Sequence, residues 1–166
     1  MLRSVMTASI LLIAACGGGD GNDLGTDAEI AADLWTDIQG YDAWAQAEKW
    51  PGVQPHGGTH GGASHVQMWF NDVADGAYGD TIPDGGISVK ETYDAEDGAA
   101  LKIFVMQKID GYDDANGDWF YARYSTDGTV DIAGADAIGG CAGCHNGGAD
   151  DGDRLLSVTT DPPAEE

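Results

Sequence analysis

At 166 residues, of which 42% are hydrophobic, the chain is long enough for one domain with a modest core. It carries 29 acidic and 7 basic residues, a formal net charge of −22. Such a surface repels nucleic acid and anionic lipid, which excludes both as main partners and favours a neutral small molecule or a basic protein. The acidity is also consistent with a role in solubility alone.

The first fifteen residues have the pattern of an export signal. Arg3 precedes an apolar stretch, residues 5–15, that is too short to span a bilayer. The stretch ends in Ile13-Ala14-Ala15-Cys16, which resembles a bacterial lipobox, where a diacylglycerol is attached to the cysteine sulfur and the chain is cleaved before it. An ordinary cleaved signal is the alternative. We expect a lipoprotein anchored through Cys16 in the cell envelope, facing the periplasm and on the outer membrane.

Residues 16–26 are polar and rich in glycine, which predicts a flexible tether. Helical spacing of apolar residues then predicts a helix over Asp27–Ala47, capped by Thr26 or Asp27. The next segment, Pro51–Gly62, is a loop without periodicity.

Four segments rich in β-branched and aromatic residues follow, with turn signals between them. Short connections between consecutive strands favour an antiparallel meander, and a short helix is predicted over Asp136–His145. We therefore predict a single α+β domain over residues 27–150, mainly an antiparallel sheet with flanking helices, followed by a frayed acidic tail, residues 151–166. The predicted strands are His65–Asn71, Gly86–Tyr93, Ala100–Ile109 and Trp119–Ser125.

The strongest motif is Cys141-Ala142-Gly143-Cys144-His145 near the end of the chain. This spacing is typical of c-type haem attachment, in which two thiols bind the porphyrin edge covalently and the adjacent histidine becomes an axial ligand of the iron. A thioredoxin-type redox pair would normally follow a first strand, and a zinc site would need a second pair of ligands. With Cys16 lipidated and the other two cysteines bound to one covalent haem c, every cysteine has a role.

The order of the segments resembles the cytochrome P-460 family, which includes the beta-type cytochromes c-prime. The resemblance rests on the strand around residues 65–72, the segment 73–78, the strand 87–91, the segment 117–121 and the haem motif, and covers about residues 30–150. It implies an antiparallel sheet with haem at one side. It also implies chemistry on small nitrogen oxides: the P-460 members oxidise hydroxylamine, whereas the c-prime members bind nitric oxide or carbon monoxide.

In the P-460 members a lysine of the strand that matches residues 87–91 is cross-linked to the porphyrin, and by this match it is Lys90 here. By strand periodicity alone, Lys90 shares a side with Ser88 and Thr92, and a surface lysine at a strand edge is the alternative. One feature departs from the family. The strand 100–109 has no glutamate where the hydroxylamine-oxidising members have a distal carboxylate, and the lack of this proton acceptor weakens the case for efficient hydroxylamine oxidation.

Other polar clusters carry weaker signals. His56, His60 and His65 could bind a second metal or supply a distal haem ligand, although loop histidines are more often exposed. Residues 113–118 are rich in aspartate but lack the register of a calcium loop, so a turn is the better interpretation. Met68 and Met106 could ligate iron, but both occupy apolar strand positions typical of a core.

The sequence thus predicts one covalent haem c with an open sixth iron position. Whether the protein is an enzyme stays uncertain: it could oxidise hydroxylamine or nitric oxide, bind nitric oxide or carbon monoxide without turnover, or only carry electrons. The expected partners are these small molecules and a redox partner cytochrome, with no nucleic acid and membrane contact through the lipid anchor only. A homodimer is left open.

Overall fold

The computed structural model describes residues 24–57, 60, 62–135, 140–146 and 153–155. The predicted signal, Cys16, most of the tether and most of the tail lie outside this part of the chain. The described part contains three helices, seven strands and two short 3₁₀ turns, Tyr41–Ala43 and Asp114–Asn116. The elements are α1 (Asp27–Asp37), β1 (Ala45–Gln46), β2 (Gln54–Pro55), β3 (His65–Phe70), α2 (Asp72–Gly76), β4 (Ile87–Tyr93), β5 (Lys102–Lys108), β6 (Trp119–Tyr124), β7 (Val130–Ala133) and α3 (Cys141–Asn146).

The seven strands form one sheet in which every pairing is antiparallel. Strands β3 to β7 follow each other in chain order, and β1 and β2 both pair with the outer side of β3. This is the predicted meander, and the α+β fold with a mainly antiparallel sheet is confirmed. The four predicted strands match β3 to β6 to within two residues at each end.

Helix α1 is shorter than the sequence predicts. It begins with a capping box, in which the Thr26 hydroxyl accepts from the Glu29 N–H and the Glu29 carboxylate accepts from the Thr26 N–H at 2.8 Å. It ends at Asp37, because Gly40 adopts a φ of 82° and turns the chain away. The remainder of the predicted helix, which includes Trp44, forms a 3₁₀ turn and strand β1 instead.

The sheet buries two faces because successive side chains of a strand point to opposite sides. One face packs against α1, and we call it the α1 face. There the buried Tyr124 hydroxyl donates to the Ala31 carbonyl at 2.8 Å, fixing the helix to the sheet. Its core contains Leu34, Ile38, Val89, Ile103, Val105 and Phe120.

The opposite face packs against α3 and residues 153–155, and we call it the α3 face. Ala142 of α3 and Leu155 belong to its core, so residues 153–155 are part of the packed structure. The sheet residues of that core include Val66, Met68, Phe70, Met106, Trp119 and Tyr121. None of the described helices is long and apolar enough to cross a membrane.

Candidate functional site

Helix α3 presents three reactive side chains from a little more than one turn. Cys141, Cys144 and His145 stand at positions i, i+3 and i+4, which lie on the same side of a helix. Both thiols are free; Cys141 is half-buried and Cys144 is exposed, while His145 is 8% exposed. The thiols are therefore more accessible than the imidazole.

The orientation of His145 is set by a backbone carbonyl. Its Nδ1 lies 2.8 Å from the Arg154 oxygen, and because a carbonyl can only accept, Nδ1 carries the hydrogen. The pKa of His145 is lowered, first by burial and further by the Lys90 ammonium, while the bond to Arg154 acts in the opposite direction. A neutral ring with its hydrogen on Nδ1 leaves the lone pair on Nε2, the usual state of a metal-ligating histidine.

The Arg154 carbonyl is held in place by its neighbour Asp153. The Asp153 carboxylate accepts from the Lys108 ammonium at 2.7 Å and from the Ile82 N–H at 2.9 Å. The Arg154 side chain donates to Asn146 at the end of α3. This segment thereby ties the haem-motif helix to strand β5 of the sheet.

Two of the three histidines of the predicted cluster lie beside His145. The ring of His60 is 6.2 Å from that of His145, and His56 Nε2 is 3.3 Å from His60 Nδ1. The third, His65, is on the α1 face, where its Nδ1 lies 2.8 Å from the Ser64 hydroxyl. Loop histidines were expected to be exposed more often than not, yet His60 is half-buried, because it packs edge-on against Phe104.

Lys90 lies on the α3 face, in register with Met68 of β3 and Phe104 of β5. Part of its surface stays accessible, but burial lowers the pKa of its ammonium to about 8. Burial is also the main cause that lowers the pKa values of His56 and His60, and the Lys90 ammonium lowers both further. Lys90 is therefore close enough to act electrostatically on every histidine of this site, and no carboxylate of the described residues contributes to these shifts.

The residues around His145 fit a haem. The Tyr121 ring, 5.5 Å from that of His145, is buried, and its hydroxyl has no hydrogen-bond partner among the described residues. Leaving such a hydroxyl unpaired is costly, so a group with polar atoms belongs beside it. The Phe104 ring lies on the same face, 5.0 Å from the ring of His60. Aromatic rings and an unsatisfied hydroxyl around a buried imidazole suit a large planar group with polar substituents.

The remaining candidates have structural roles. Met68 and Met106 are buried in the core of the α3 face, as their apolar positions predicted. In the segment 113–118, the Asp118 side chain accepts from the Asp113 N–H, and Asp113 accepts from the Asn116 amide, which is the expected turn. The described residues contain no group of three or more histidine, cysteine or acidic side chains that could hold a metal ion, so the second-metal hypothesis has no support there.

Sequence reasoning missed three residues of this site: Phe104, Tyr121 and Arg154. The first two are on alternating strand positions that share the side of Lys90, so strand periodicity combined with the pairing register would have found them. Arg154 contributes a backbone carbonyl, for which a sequence has no signal.

A buried histidine and two thiols on one helix, packed against an antiparallel sheet, are the features of a haem-binding cytochrome. The family model Cytochrome P460 matches residues 38–155, which include all four central strands and the haem motif. The chain belongs to the cytochrome P-460 family. A search of curated proteins finds no match.

Proposed function

We propose that this chain is an exported mono-haem c-type cytochrome that acts on hydroxylamine or nitric oxide. Cys141 and Cys144 hold the haem through thioether bonds, and His145 Nε2 is the axial ligand. The observation that carries the proposal is the position of Lys90, which lies on the α3 face and acts electrostatically on His145. A lysine in this position matches the resemblance to the P-460 members, in which a lysine is bonded to the porphyrin.

The haem, when bound, supplies an iron that binds small nitrogen ligands and exchanges electrons. The chain supplies the surroundings: burial keeps His145 neutral, the Arg154 carbonyl orients its ring, and the Tyr121 ring packs beside it. Since burial lowers the pKa of Lys90 to about 8, roughly a tenth of this amine is uncharged at pH 7 and able to form a bond, far more than for an ordinary lysine. A carbon–nitrogen bond there replaces one N–H and one C–H hydrogen, so its formation needs a two-electron oxidant such as a peroxide.

A second candidate function is binding of nitric oxide or carbon monoxide without turnover. It is favoured by the charges around His145, where no carboxylate of the described residues contributes to the pKa shifts of the three histidines. Oxidation of hydroxylamine releases protons and is helped by an acceptor beside the substrate. Binding needs no such group.

The proposal includes anchoring of the mature protein in the cell envelope through Cys16, with the domain facing the periplasm. It is supported by the sequence Ile13-Ala14-Ala15-Cys16 and by the charge of −22, which suits delivery of electrons to a basic cytochrome. One haem per chain follows from the single pair of cysteines that remains.

Two mass measurements on protein matured in a host with c-type haem machinery test the proposal. Intact mass under denaturing conditions is expected to show one retained haem, lost in the double variant C141A/C144A; extraction of the haem by acidic organic solvent would refute covalent attachment. After tryptic digestion, the Lys90 peptide is expected to stay joined to the haem peptide. K90A is expected to lose this link. K102A is the matched control for K90A, because Lys102 lies on the same face but pairs with Asp131.

Turnover then separates the two candidate functions. Wild type is expected to oxidise hydroxylamine with an artificial electron acceptor, and K90A is expected to lose this activity while retaining haem. A free Lys90 peptide together with absent turnover and intact nitric oxide binding would favour the second candidate.

A further inference from the structure

The feature that the proposed function leaves unused is the pair formed by His60 and His145. His145 belongs to α3, whereas His60 belongs to the loop between β2 and β3, so the two rings come from separate parts of the chain. Their centres are 6.2 Å apart and their planes are inclined by 67°. The rings of His60 and Phe104, which pack edge-on, are closer, with their centres 5.0 Å apart.

The separation of the two rings matches that of two imidazoles that share one metal ion. A metal–nitrogen bond of about 2.0–2.1 Å plus the distance from nitrogen to ring centre puts two opposed imidazole centres roughly 6.4 Å apart. The observed separation of 6.2 Å is therefore close to the one that two imidazoles binding one iron would have.

The hydrogen bonds of the two histidines are also matched. His145 uses Nδ1 to donate to a carbonyl, and His60 Nδ1 lies 3.3 Å from His56 Nε2. With the hydrogen of His60 on Nδ1, His56 Nε2 accepts it, and the lone pair of His60 is on Nε2. An outer hydrogen bond of this kind orients a metal-ligating histidine and fixes its tautomer. His56 is in turn packed against Trp50, at 6.1 Å between ring centres.

We propose that His60 is the sixth iron ligand, opposite His145, and that His56 positions it. This inference rests on the proposed haem attachment at His145, and it replaces the open sixth position expected from the sequence. The resting protein is then six-coordinate and low-spin. An incoming nitrogen oxide must then displace His60 to reach the iron.

Spectroscopy of the holoprotein tests this directly, by absorption and by electron paramagnetic resonance of the ferric form. Wild type is expected to be low-spin at neutral pH and H60A high-spin, with added imidazole restoring the low-spin signal. H60M keeps a ligand and is expected to stay low-spin with an altered spectrum, which guards against a general folding defect. H65A is the matched control and is expected to leave the spectrum unchanged, because His65 lies on the α1 face.

Gas binding gives an independent readout. Because the fraction of protein with a vacant sixth position sets the apparent affinity, carbon monoxide is expected to bind ferrous H60A about tenfold or more tightly than wild type. H56F is expected to give an intermediate spectrum and affinity. A high-spin wild type with covalent haem, or a low-spin signal that survives H60A and disappears in K90A or M68L, overturns the role of His60 alone. Absence of covalent haem overturns the proposed function with it.

Discussion

Replacing Asp153 by asparagine removes the negative charge that holds the segment after α3 against the sheet. In the wild type its carboxylate is 2.7 Å from the Lys108 ammonium, and both side chains are largely buried, with exposed fractions of 9% and 13%. Asparagine can still accept from the Ile82 N–H, but the lysine charge is left without its counter-charge. Breaking a buried pair in this way typically costs about 3–5 kcal/mol. Because the amide oxygen keeps part of the hydrogen bonding, we expect D153N to lose about 3 kcal/mol of unfolding free energy.

Urea unfolding of the holoprotein, followed by far-ultraviolet circular dichroism, measures this loss as a lower transition midpoint with an unchanged slope. D131N is the control, because Asp131 pairs with Lys102 at the surface, where such pairs contribute little. D153N is also expected to change the position of the His145 ring, because Asp153 no longer holds the neighbouring Arg154 carbonyl in place. Equal midpoints for D153N and D131N would show that the buried pair does not stabilise this segment.

Three further predictions concern other parts of the chain. Y124F removes the buried hydrogen bond from the Tyr124 hydroxyl to the Ala31 carbonyl, and we expect a loss of about 1 kcal/mol in the same urea assay; an unchanged midpoint would contradict this. G128A forces a left-handed φ of 89° on alanine and places a Cβ 2.4 Å from the Trp35 ring, whereas G40A has a similar φ and open space around it; G128A should therefore be clearly the less stable, and equal stabilities would be evidence against the clash. C16A should move the protein from the membrane fraction to the soluble or unprocessed fraction, and a wild type that is cleaved and entirely soluble would rule out the lipid anchor.

Much of the fold could be predicted because the sheet has a simple pattern. Each of strands β3 to β6 is a run of β-branched and aromatic residues bounded by turn residues, and each follows its neighbour in sequence. Three strands were missed, the two-residue β1 and β2 and the four-residue β7, because they have too few residues to show periodicity. Helix α1 was predicted too long because the apolar residues Ile38 and Trp44 continue its spacing, while the chain turns at Gly40.

The residues of the candidate site could be predicted only where they belong to a local sequence motif or to a regular strand. Cys141, Cys144 and His145 are adjacent in sequence, and the side of Lys90 followed from strand alternation and the family match. His60 gave no comparable signal, since it belongs to a loop without periodicity and its position depends on packing against Phe104. Contacts between residues 85 positions apart in the chain, such as His60 and His145, depend on the tertiary fold.

The parts of the chain that contribute His145 and His60 differ in how easily they could be altered by protein engineering. The part with His145, which is α3 and residues 153–155, is fixed to the middle of the sheet by the pair of Asp153 and Lys108. Changes there therefore disturb the whole domain. His60 belongs to the connection between β2 and β3, and connections of this kind accept insertions and substitutions far better than strands do. Libraries that vary this loop alone could therefore produce haem proteins with different sixth ligands on one unchanged scaffold.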